Sequence, residues 1–426
     1  MISLRKSLTT VVASFCFLPA IGAAEKFPVP PANWQGYQVD ADWPGVLPFK
    51  WSIGMINGLS MGPDDTIWVL HDPYNMQPDE TGASQNPPRS ECCIAAPEVM
   101  QFDKNGKVLR AWHGRDRIST WPIAAHGIDV DKAGNVWVGG VSREYHPDLP
   151  MFTMAWDSHG KIREDLPRIR DRQVLKFNPA GRLLLQIGQP SYAPQNNQDT
   201  NILGSPTGVA FDDAAGEVFI ADGLLNKRIV VFDMNNGKFK RGWGAYGIPL
   251  NEIPNDDPSK DELPTGRVVD ASESPSKQFR SLTDIAVSKD GTVYATDQMN
   301  NRIQAFTKEG KFVKEIFVAP KTGGTGSAWA LTLSQDTQQQ FLLVADGMSG
   351  VIRIIDRKQG AEVGKVGTKG RNAGQLATPS FVGVDSQGNI YIGEHHFARS
   401  WDGWQASFTG VAGTSGGRLQ RFKLTK

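Results

Sequence analysis

Six segments of this chain share one pattern: an apolar strand, a turn rich in Asp or Gly, and a second apolar strand that in most copies leads to an acidic residue or His. The copies begin at Asn57, His126, Thr207, Thr283, Trp329 and Ser380. Recurrence of this kind constrains the architecture before any single residue is given a role, because each copy must be one structural unit of a repeating fold.

Each copy alternates apolar and polar residues with period two around a turn, which is typical of a half-buried β-hairpin. Several copies are followed by a second hairpin pattern, at residues 172–188, 227–244 and 301–317. Four strands per repeat make a propeller blade, and closing the blades in a ring removes exposed sheet edges. The sequence therefore predicts an all-β, six-bladed β-propeller with four-stranded blades around a central channel.

The length of 426 residues would by itself suggest more than one domain, but the repeat fills nearly all of it. Residues 51–426 are predicted to form a single propeller domain, preceded by an N-terminal extension over residues 25–50. Residues 1–24 carry Arg5 and Lys6, an apolar run and small residues ending at Ala24, the layout of a secretory signal peptide. We expect a periplasmic or secreted protein cleaved near Ala24, with a retained N-terminal anchor as the alternative.

The charged residues balance, with 45 basic and 45 acidic side chains. This composition gives no electrostatic footprint for nucleic acid or for an anionic membrane. The expected partner is a small molecule or an exported protein, with no membrane span after signal cleavage, and a monomer is expected.

Export would leave two cysteines, Cys92 and Cys93, which are adjacent. They can be free thiols, a vicinal disulfide or ligands to a metal ion, although the spacing does not favour a metal site. A disulfide between neighbours closes a strained ring, because neighbouring Cα atoms are about 3.8 Å apart, closer than in most disulfides. A loop-stiffening role and a redox role both remain open.

Propeller topology brings the first-strand starts and the second-strand ends to one mouth of the channel. The predicted starts are the six residues that open the copies, and the predicted ends are His71, Gly140, Asp222, Asp297, Asp346 and Glu394. The long connections fall on the same face. Function tends to lie where long loops stand on a rigid scaffold, so this mouth is the predicted site.

Histidines interrupt the repeat at this mouth, where His71 and His126 replace residues of other types. Both are candidate catalytic residues, and the candidate metal ligands are His126, His71, His395, His396 and Glu394. Imidazole and carboxylate groups suit a divalent ion such as zinc or calcium. The recurring Asp residues that are followed by Asn and Arg favour a structural interpretation instead, in which the carboxylate satisfies turn amides and pairs with the Arg.

Aromatic and small polar residues complete the predicted mouth. The candidate ligand-binding residues are Trp329, Asn57, Thr283, Ser380, Trp401 and Trp404. The tryptophans would suit an apolar or aromatic ligand, and ordinary loop packing is the alternative.

The blade from Ser205 to Gly244, together with the segments that begin at His126 and Asn301, resembles the NHL-repeat propellers, in particular the peptidyl-α-hydroxyglycine amidating lyase group and its secreted bacterial relatives. The resemblance covers roughly residues 58–424. It implies a zinc ion held by three channel histidines, an Arg and a Tyr that serve the substrate, and a nearby structural calcium.

Most of these lyase positions are not matched in this chain. His126 fits the first metal histidine, but the second and third fall at Thr283 and Ser380. The Tyr position falls at Leu224 and the Arg position falls near Asp72. The resemblance therefore does not imply authentic amidating lyase activity.

Three functions follow as alternatives. The first is a propeller that binds a small molecule or a protein partner at its loop-rich face. The second is a divergent metal-dependent lyase or hydrolase with a rearranged His site. The third is a redox protein that uses the Cys92–Cys93 pair.

Overall fold

The computed structural model describes residues 36–76, 78, 80–142, 170–191, 193–255, 276–394 and 417–425. The predicted signal peptide lies outside these residues. Within them the helices are short 3-10 turns at Pro48–Lys50, Pro63–Asp65, Pro73–Asn75, Gly82–Ser84, Ala245–Gly247, Leu250–Glu252 and Gln298–Asn300. No helix in this part of the chain has the length and apolarity needed to cross a membrane.

The first half of the described chain is built from short strands. They are β1 (Tyr37–Asp40), β2 (Trp51–Ser52), β3 (Met55–Met61), β4 (Ile67–Asp72), β5 (Ile94–Ala95), β6 (Val99–Phe102), β7 (Val108–Trp112), β8 (Ala125–Val130), β9 (Val136–Ser142), β10 (Arg170–Phe177), β11 (Leu183–Gly188), β12 (Pro206–Asp212), β13 (Glu217–Asp222), β14 (Arg228–Asp233) and β15 (Phe239–Trp243).

The second half continues in the same way. Its strands are β16 (Leu282–Val287), β17 (Thr292–Asp297), β18 (Arg302–Thr307), β19 (Phe312–Phe317), β20 (Ala330–Leu333), β21 (Phe341–Asp346), β22 (Val351–Asp356), β23 (Glu362–Val366), β24 (Thr368–Lys369), β25 (Gln375–Leu376), β26 (Pro379–Val384), β27 (Ile390–Glu394) and β28 (Arg418–Leu424).

These strands form six antiparallel four-stranded blades, as predicted. Blades 1 to 5 have the orders β3-β4-β6-β7, β8-β9-β10-β11, β12-β13-β14-β15, β16-β17-β18-β19 and β20-β21-β22-β23, and blade 6 has the order β26-β27-β28-β1. The innermost strands contact one another in sequence around the ring, and β26 contacts β3 to close it. The innermost strands therefore surround a central channel.

The N-terminal strand β1 completes the last blade. It pairs antiparallel with β28, with Tyr37 opposite Leu424 and Asp40 opposite Arg421. The predicted domain start at residue 51 is therefore too late, because residues of the predicted extension supply the outer strand of blade 6. Joining the two ends of the chain in one sheet completes the four strands of blade 6 and so closes the ring.

The apolar core lies between the blades. Six clusters of buried residues each join two neighbouring blades. Trp68 of blade 1, for example, packs with Val138 and Phe177 of blade 2. Burial of this surface favours the ring as a whole over any isolated blade, since each blade can bury its faces only against its neighbours.

A β-bulge lies near the start of five of the six innermost strands, at Asn57, Gly127, Thr207, Thr283 and Ser380. At Gly127 the backbone has φ +74°, and a Cβ there would lie 2.4 Å from the Thr207 carbonyl oxygen of the next blade. Only glycine fits such a close approach with positive φ.

Candidate functional site

The second strand of blade 3 ends in a carboxylate that is fully engaged by the fold. Asp222 is buried and pairs with the buried Arg228 at 2.8 Å between Oδ2 and Nε. Its other oxygen accepts hydrogen bonds from the backbone N–H groups of Gly204 and Ser205, which lead into the same blade. This carboxylate therefore joins the entry of its blade to the third strand.

The same arrangement recurs in blades 4, 5 and 6. Asp297 pairs with Arg302 at 2.7 Å, and Asp346 pairs with Arg353 at 2.7 Å. Glu394 pairs with Arg418 and also accepts hydrogen bonds from the backbone N–H groups of Ala377 and Thr378. These contacts agree with the structural interpretation of the recurring acids. Both oxygens of Glu394, a predicted metal ligand, are engaged by the protein.

Blades 1 and 2 depart from this arrangement. The second strand of blade 2 carries Gly140, and the carboxylate comes instead from Asp171 on the third strand, whose Oδ2 accepts the Ala124 N–H at 2.8 Å. A Cβ at Gly140 would lie 2.6 Å from the Asp171 Cβ. The absence of a side chain at position 140 therefore leaves room for the side chain of Asp171. In blade 1 the corresponding acid is Glu98, just before the third strand. Burial raises the pKa of Asp171.

His71 occupies the second strand of blade 1, where it is buried. Its Nδ1 accepts a hydrogen bond from the Gly54 N–H at 3.1 Å, and its Nε2 lies 2.9 Å from the Pro97 carbonyl oxygen, to which it donates. Burial lowers the pKa of His71 to about 4, which keeps the ring neutral. Because both ring nitrogens are used, the predicted catalytic and metal-binding roles of His71 disagree with this geometry.

His126 is the second residue of β8, the innermost strand of blade 2, and is only half-buried. Its ring centroid lies 5.6 Å from that of Phe381, which comes from the innermost strand of blade 6. Blade 1 lies between these two blades, so the two rings meet across the mouth of the channel. Phe381 was missed in the sequence because the predicted ring position was its neighbour, Ser380.

The remaining predicted mouth residues direct their polar atoms into the fold. Thr283 Oγ1 lies 2.9 Å from Thr296 Oγ1, Ser380 Oγ donates to the Thr378 carbonyl, and the Trp329 indole N–H donates to the Gly326 carbonyl. The Ser380 side chain is buried, whereas Thr283 and Trp329 are partly accessible.

Asn57 differs from these residues in having an open acceptor. Its Nδ2 donates to the carbonyl oxygen of Ala125, the residue before His126, at 3.1 Å. Its buried Oδ1 has no hydrogen-bond partner among the residues that the structure describes. A buried acceptor of this kind is costly unless water or a ligand satisfies it.

Two carboxyl groups lie deeper along the innermost strands. Asp129 of blade 2 accepts the Val209 N–H at 3.1 Å, and Asp284 of blade 4 accepts the Leu331 N–H at 2.9 Å and its neighbour's N–H at 2.8 Å. Burial and the charge of Asp284 raise the pKa of Asp129 well above its usual range. Burial raises the pKa of Asp284 to about 7. Both shifts favour the protonated forms of these carboxyl groups.

The rim above blades 1 and 2 carries a further polar cluster that was not found in the sequence. The Arg115 guanidinium stacks 3.8 Å above the Tyr74 ring and donates to the Ile123 carbonyl at 3.0 Å. Glu98 accepts from the Tyr74 hydroxyl, the Arg115 N–H and His113. Burial raises the pKa of Tyr74 to about 12, so this phenol stays protonated.

Cys92 and Cys93 form a vicinal disulfide, one of the three states that the sequence left open. It lies in the connection between the second and third strands of blade 1, directly before β5. The predicted residues His395, His396, Trp401 and Trp404 lie outside the described part of the chain.

The described residues do not fit the three-imidazole zinc site that the resemblance implies. Of the three matching positions only His126 is an imidazole, and the hydroxyls of Thr283 and Ser380 bond within the fold. Phe381 packs beside His126 instead of a polar ligand. No group of three His, Cys, Asp or Glu side chains suited to a metal ion occurs among residues 36–394 and 417–425 outside the gaps given above.

No protein-family model matches the chain. It is 28% identical over 283 residues to peptidyl-glycine alpha-amidating monooxygenase B of Xenopus laevis. This alignment covers 65% of this chain and 25% of that protein. It is 25% identical over 283 residues to peptidylglycine alpha-amidating monooxygenase of Rattus norvegicus, covering 65% and 23%. The chain thus spans about a quarter of the length of these curated relatives.

Among solved structures, virginiamycin B lyase from Staphylococcus aureus aligns with a TM-score of 0.42 and 12% identity over 80% of this chain and 79% of that chain, too low a similarity to carry an argument. The sequence similarity and the six-bladed fold together agree with the resemblance seen in the sequence. The chain is therefore similar over 65% of its length to the peptidylglycine alpha-amidating monooxygenases, at the low identity of a divergent relative, and it folds as a six-bladed propeller.

Proposed function

We propose that this protein is an exported binding protein that takes a small molecule at the channel mouth between blades 1, 2 and 6, without amidating lyase activity. The contact between His126 and Phe381 carries this proposal, because it puts an apolar ring where a metal site would need polar ligands. Two partly accessible rings suit a ligand with an aromatic or apolar face.

Polar groups beside these rings would orient such a ligand. The unsatisfied Oδ1 of Asn57 can accept a hydrogen bond from a ligand donor, and Asn57 also contacts the residue before His126. On the same strand as His126, burial raises the pKa of Asp129 and so favours its protonated form, which can donate a hydrogen bond. A mostly apolar pocket with a few fixed polar groups is the usual design of a small-molecule site.

A rearranged metal-dependent lyase is less well supported. A catalytic zinc normally keeps three protein ligands and an open position, and the described residues offer one imidazole at the expected positions. The ring of His71 is committed to backbone atoms. Authentic lyase chemistry would therefore need ligands from other parts of the chain.

Thermal unfolding in the presence of a chelator tests the proposal. The protein is melted in EDTA with a panel of small aromatic carboxylates, amines and amides, and each hit is repeated with Phe381→Ala and with the matched control Phe317→Ala. We expect at least one compound to raise the melting temperature, with an affinity about tenfold weaker in Phe381→Ala and unchanged in Phe317→Ala. A truncated ring contact of this kind is worth about 1.4 kcal/mol, which is tenfold in affinity.

In a parallel melt without chelator, stabilisation by zinc alone that is lost in His126→Ala would instead favour the metal-dependent enzyme. Stabilisation only by an exported protein would move the site from the channel mouth to the surrounding loops. Either result would overturn the small-molecule proposal.

Export is the second part of the proposal, and the signal-peptide layout of residues 1–24 supports it. N-terminal sequencing of the protein recovered from its native host should find Glu25 as the first residue. A chain that keeps Met1 and stays in the cytosolic fraction would contradict export.

A further inference from the structure

The Cys92–Cys93 disulfide lies on the surface rather than in the core. Cys92 is exposed and Cys93 is half-buried. Thiol–disulfide exchange requires that a thiolate reach one of the two sulfur atoms, so access decides whether a disulfide is inert or reactive. The accessible position of this pair sets it apart from a disulfide that only braces a core.

The loop that carries the disulfide is held firmly in place. The Ala83 N–H donates to the Cys93 carbonyl at 3.2 Å, and the Arg89 N–H donates to the Gly82 carbonyl at 2.9 Å. Ile94 and Ala95 then pair with Trp51 and Ser52 in a small parallel sheet. The sulfur atoms are therefore presented from a defined surface.

An apolar patch adjoins the disulfide on this surface, formed by Phe49, Trp51 and Ile94. Phe49 is 74% exposed and Ile94 is 38% exposed. The Phe49 ring lies 5.1 Å from the Trp51 ring, and Ile94 follows Cys93 directly. Phe49 has φ +57°, an unfavourable conformation for a residue with a Cβ, and such outliers are concentrated at functional sites.

A positive charge also lies close to the disulfide. The Lys50 ammonium donates to the carbonyl oxygen of Glu91, the residue before Cys92, at 2.8 Å. A nearby cation favours the thiolate that leaves when a disulfide is attacked.

We propose that Cys92–Cys93 is a thiol–disulfide exchange site and that the patch of Phe49, Trp51 and Ile94 seats a protein dithiol that reduces it. The partner's thiolate attacks Cys92 Sγ, the bond between the two sulfurs breaks, and the electron pair stays on Cys93 Sγ, which takes up a proton. The partner's second thiol then attacks the mixed disulfide and releases Cys92 as a thiol. The pair gains two electrons and two protons, and the partner becomes a disulfide.

The test compares a large reductant with a small one on the folded, full-length oxidised protein. Reduction by reduced thioredoxin and by dithiothreitol is followed by alkylation of the new thiols and mass spectrometry. The variants are Phe49→Ala and the matched control Phe317→Ala, which removes an exposed ring from blade 4.

We expect thioredoxin to reduce Phe49→Ala about tenfold more slowly than the parent, with the dithiothreitol rate within twofold. Phe317→Ala should match the parent with both reductants. A disulfide that reacts only after denaturation would overturn the exchange site. Equal thioredoxin rates for the parent and Phe49→Ala, or an equal slowing with both reductants, would overturn the docking role of the patch.

Discussion

The channel mouth has two sectors that use the same strand position differently. In blades 3 to 6 the second strand ends in a carboxylate that pairs with an Arg and, in blades 3, 4 and 6, binds backbone amides at the entry of its own blade. In blades 1 and 2 that position holds His71 and Gly140, and the acids Glu98 and Asp171 come from the third strand or its start. The carboxylates of the repeated sector are engaged by the fold, whereas the divergent sector keeps the half-buried ring of His126 and the open acceptor of Asn57.

This difference shows that a departure from the repeat indicates a candidate functional region. It does not indicate that every departing residue in that region is functional. His71 departs from the repeat and yet is a buried structural ring. Phe381 lies beside a bulge position that recurs in the blades and yet faces His126 across the mouth. Function on a repeat scaffold therefore has to be argued from the contacts of each side chain.

Removing a carboxylate from the repeated sector should have the largest effect. Asp222→Ala leaves the buried Arg228 without its carboxylate and two backbone amides without an acceptor. We expect a loss of about 3 to 5 kcal/mol in the free energy of unfolding, measured by urea denaturation. Asp290→Ala is the control, since it breaks an ion pair with Arg357 in which Asp290 is 55% exposed, and should cost less than about 1 kcal/mol. Equal losses would mean that the carboxylate contacts do not hold the repeated sector.

Asp284 should make the protein less stable as the pH rises. Its pKa is about 7 in the folded state, so between about pH 4 and pH 7 the native state keeps a proton that the unfolded state releases. Stability from this group is present below pH 4 and is lost by up to about 4 kcal/mol as the pH approaches 7. We therefore compare the free energy of unfolding of Asp284→Asn with that of the parent at two pH values. The difference in favour of Asp284→Asn should be larger at pH 8 than at pH 5. The same difference at both pH values would contradict a raised pKa in the channel.

His71 should act in the opposite direction. Its folded pKa of about 4 lies below the unfolded value of about 6.5, so the stability it contributes is present above pH 6.5 and is lost as the pH falls to 4. We expect His71 to contribute about 3 kcal/mol to the free energy of unfolding above pH 6.5. Between pH 6.5 and pH 4, His71→Gln should therefore lose less stability than the parent. His126→Gln serves as the control, because His126 is half-buried. An unaltered acid profile for His71→Gln would contradict the neutral buried ring.

Removing the ring at the mouth should have the smallest effect on stability. His126 is partly accessible and contacts Phe381 at its edge of the channel. We expect His126→Ala to change the free energy of unfolding by less than about 1 kcal/mol, in line with substitutions outside the core. A loss as large as that of Asp222→Ala would show that His126 is part of the scaffold and would remove the contrast between the two sectors.

The sequence predicts the six blades well, because period-two hairpins recur at matching positions along the chain. It misses β1, because Tyr37 pairs with Leu424 near the other end of the chain. The strand therefore has no neighbouring hairpin pattern in the sequence that would predict it. The vicinal disulfide is confirmed as one of three predicted states.

The site is predicted less completely than the fold. The partners of His71 are backbone atoms of Gly54 and Pro97, which leave no signature in residue type. Asp129 and Asp284 stand at different distances from their hairpin turns, so an alignment on the turns does not place them together. The bulge at Ser380 shifts the register between the two strands. An alignment on the hairpin turns therefore selects Ser380 as the mouth residue instead of Phe381.

Zinc stoichiometry tests the account of the mouth most directly. The protein is purified with its full mature sequence, equilibrated with zinc and desalted, and its metal content is measured alongside His126→Ala. We expect no stoichiometric zinc in either protein, since the described mouth has an aromatic contact in place of a three-imidazole site. One zinc ion per chain in the parent that disappears in His126→Ala would contradict the account and restore the metal-dependent enzyme.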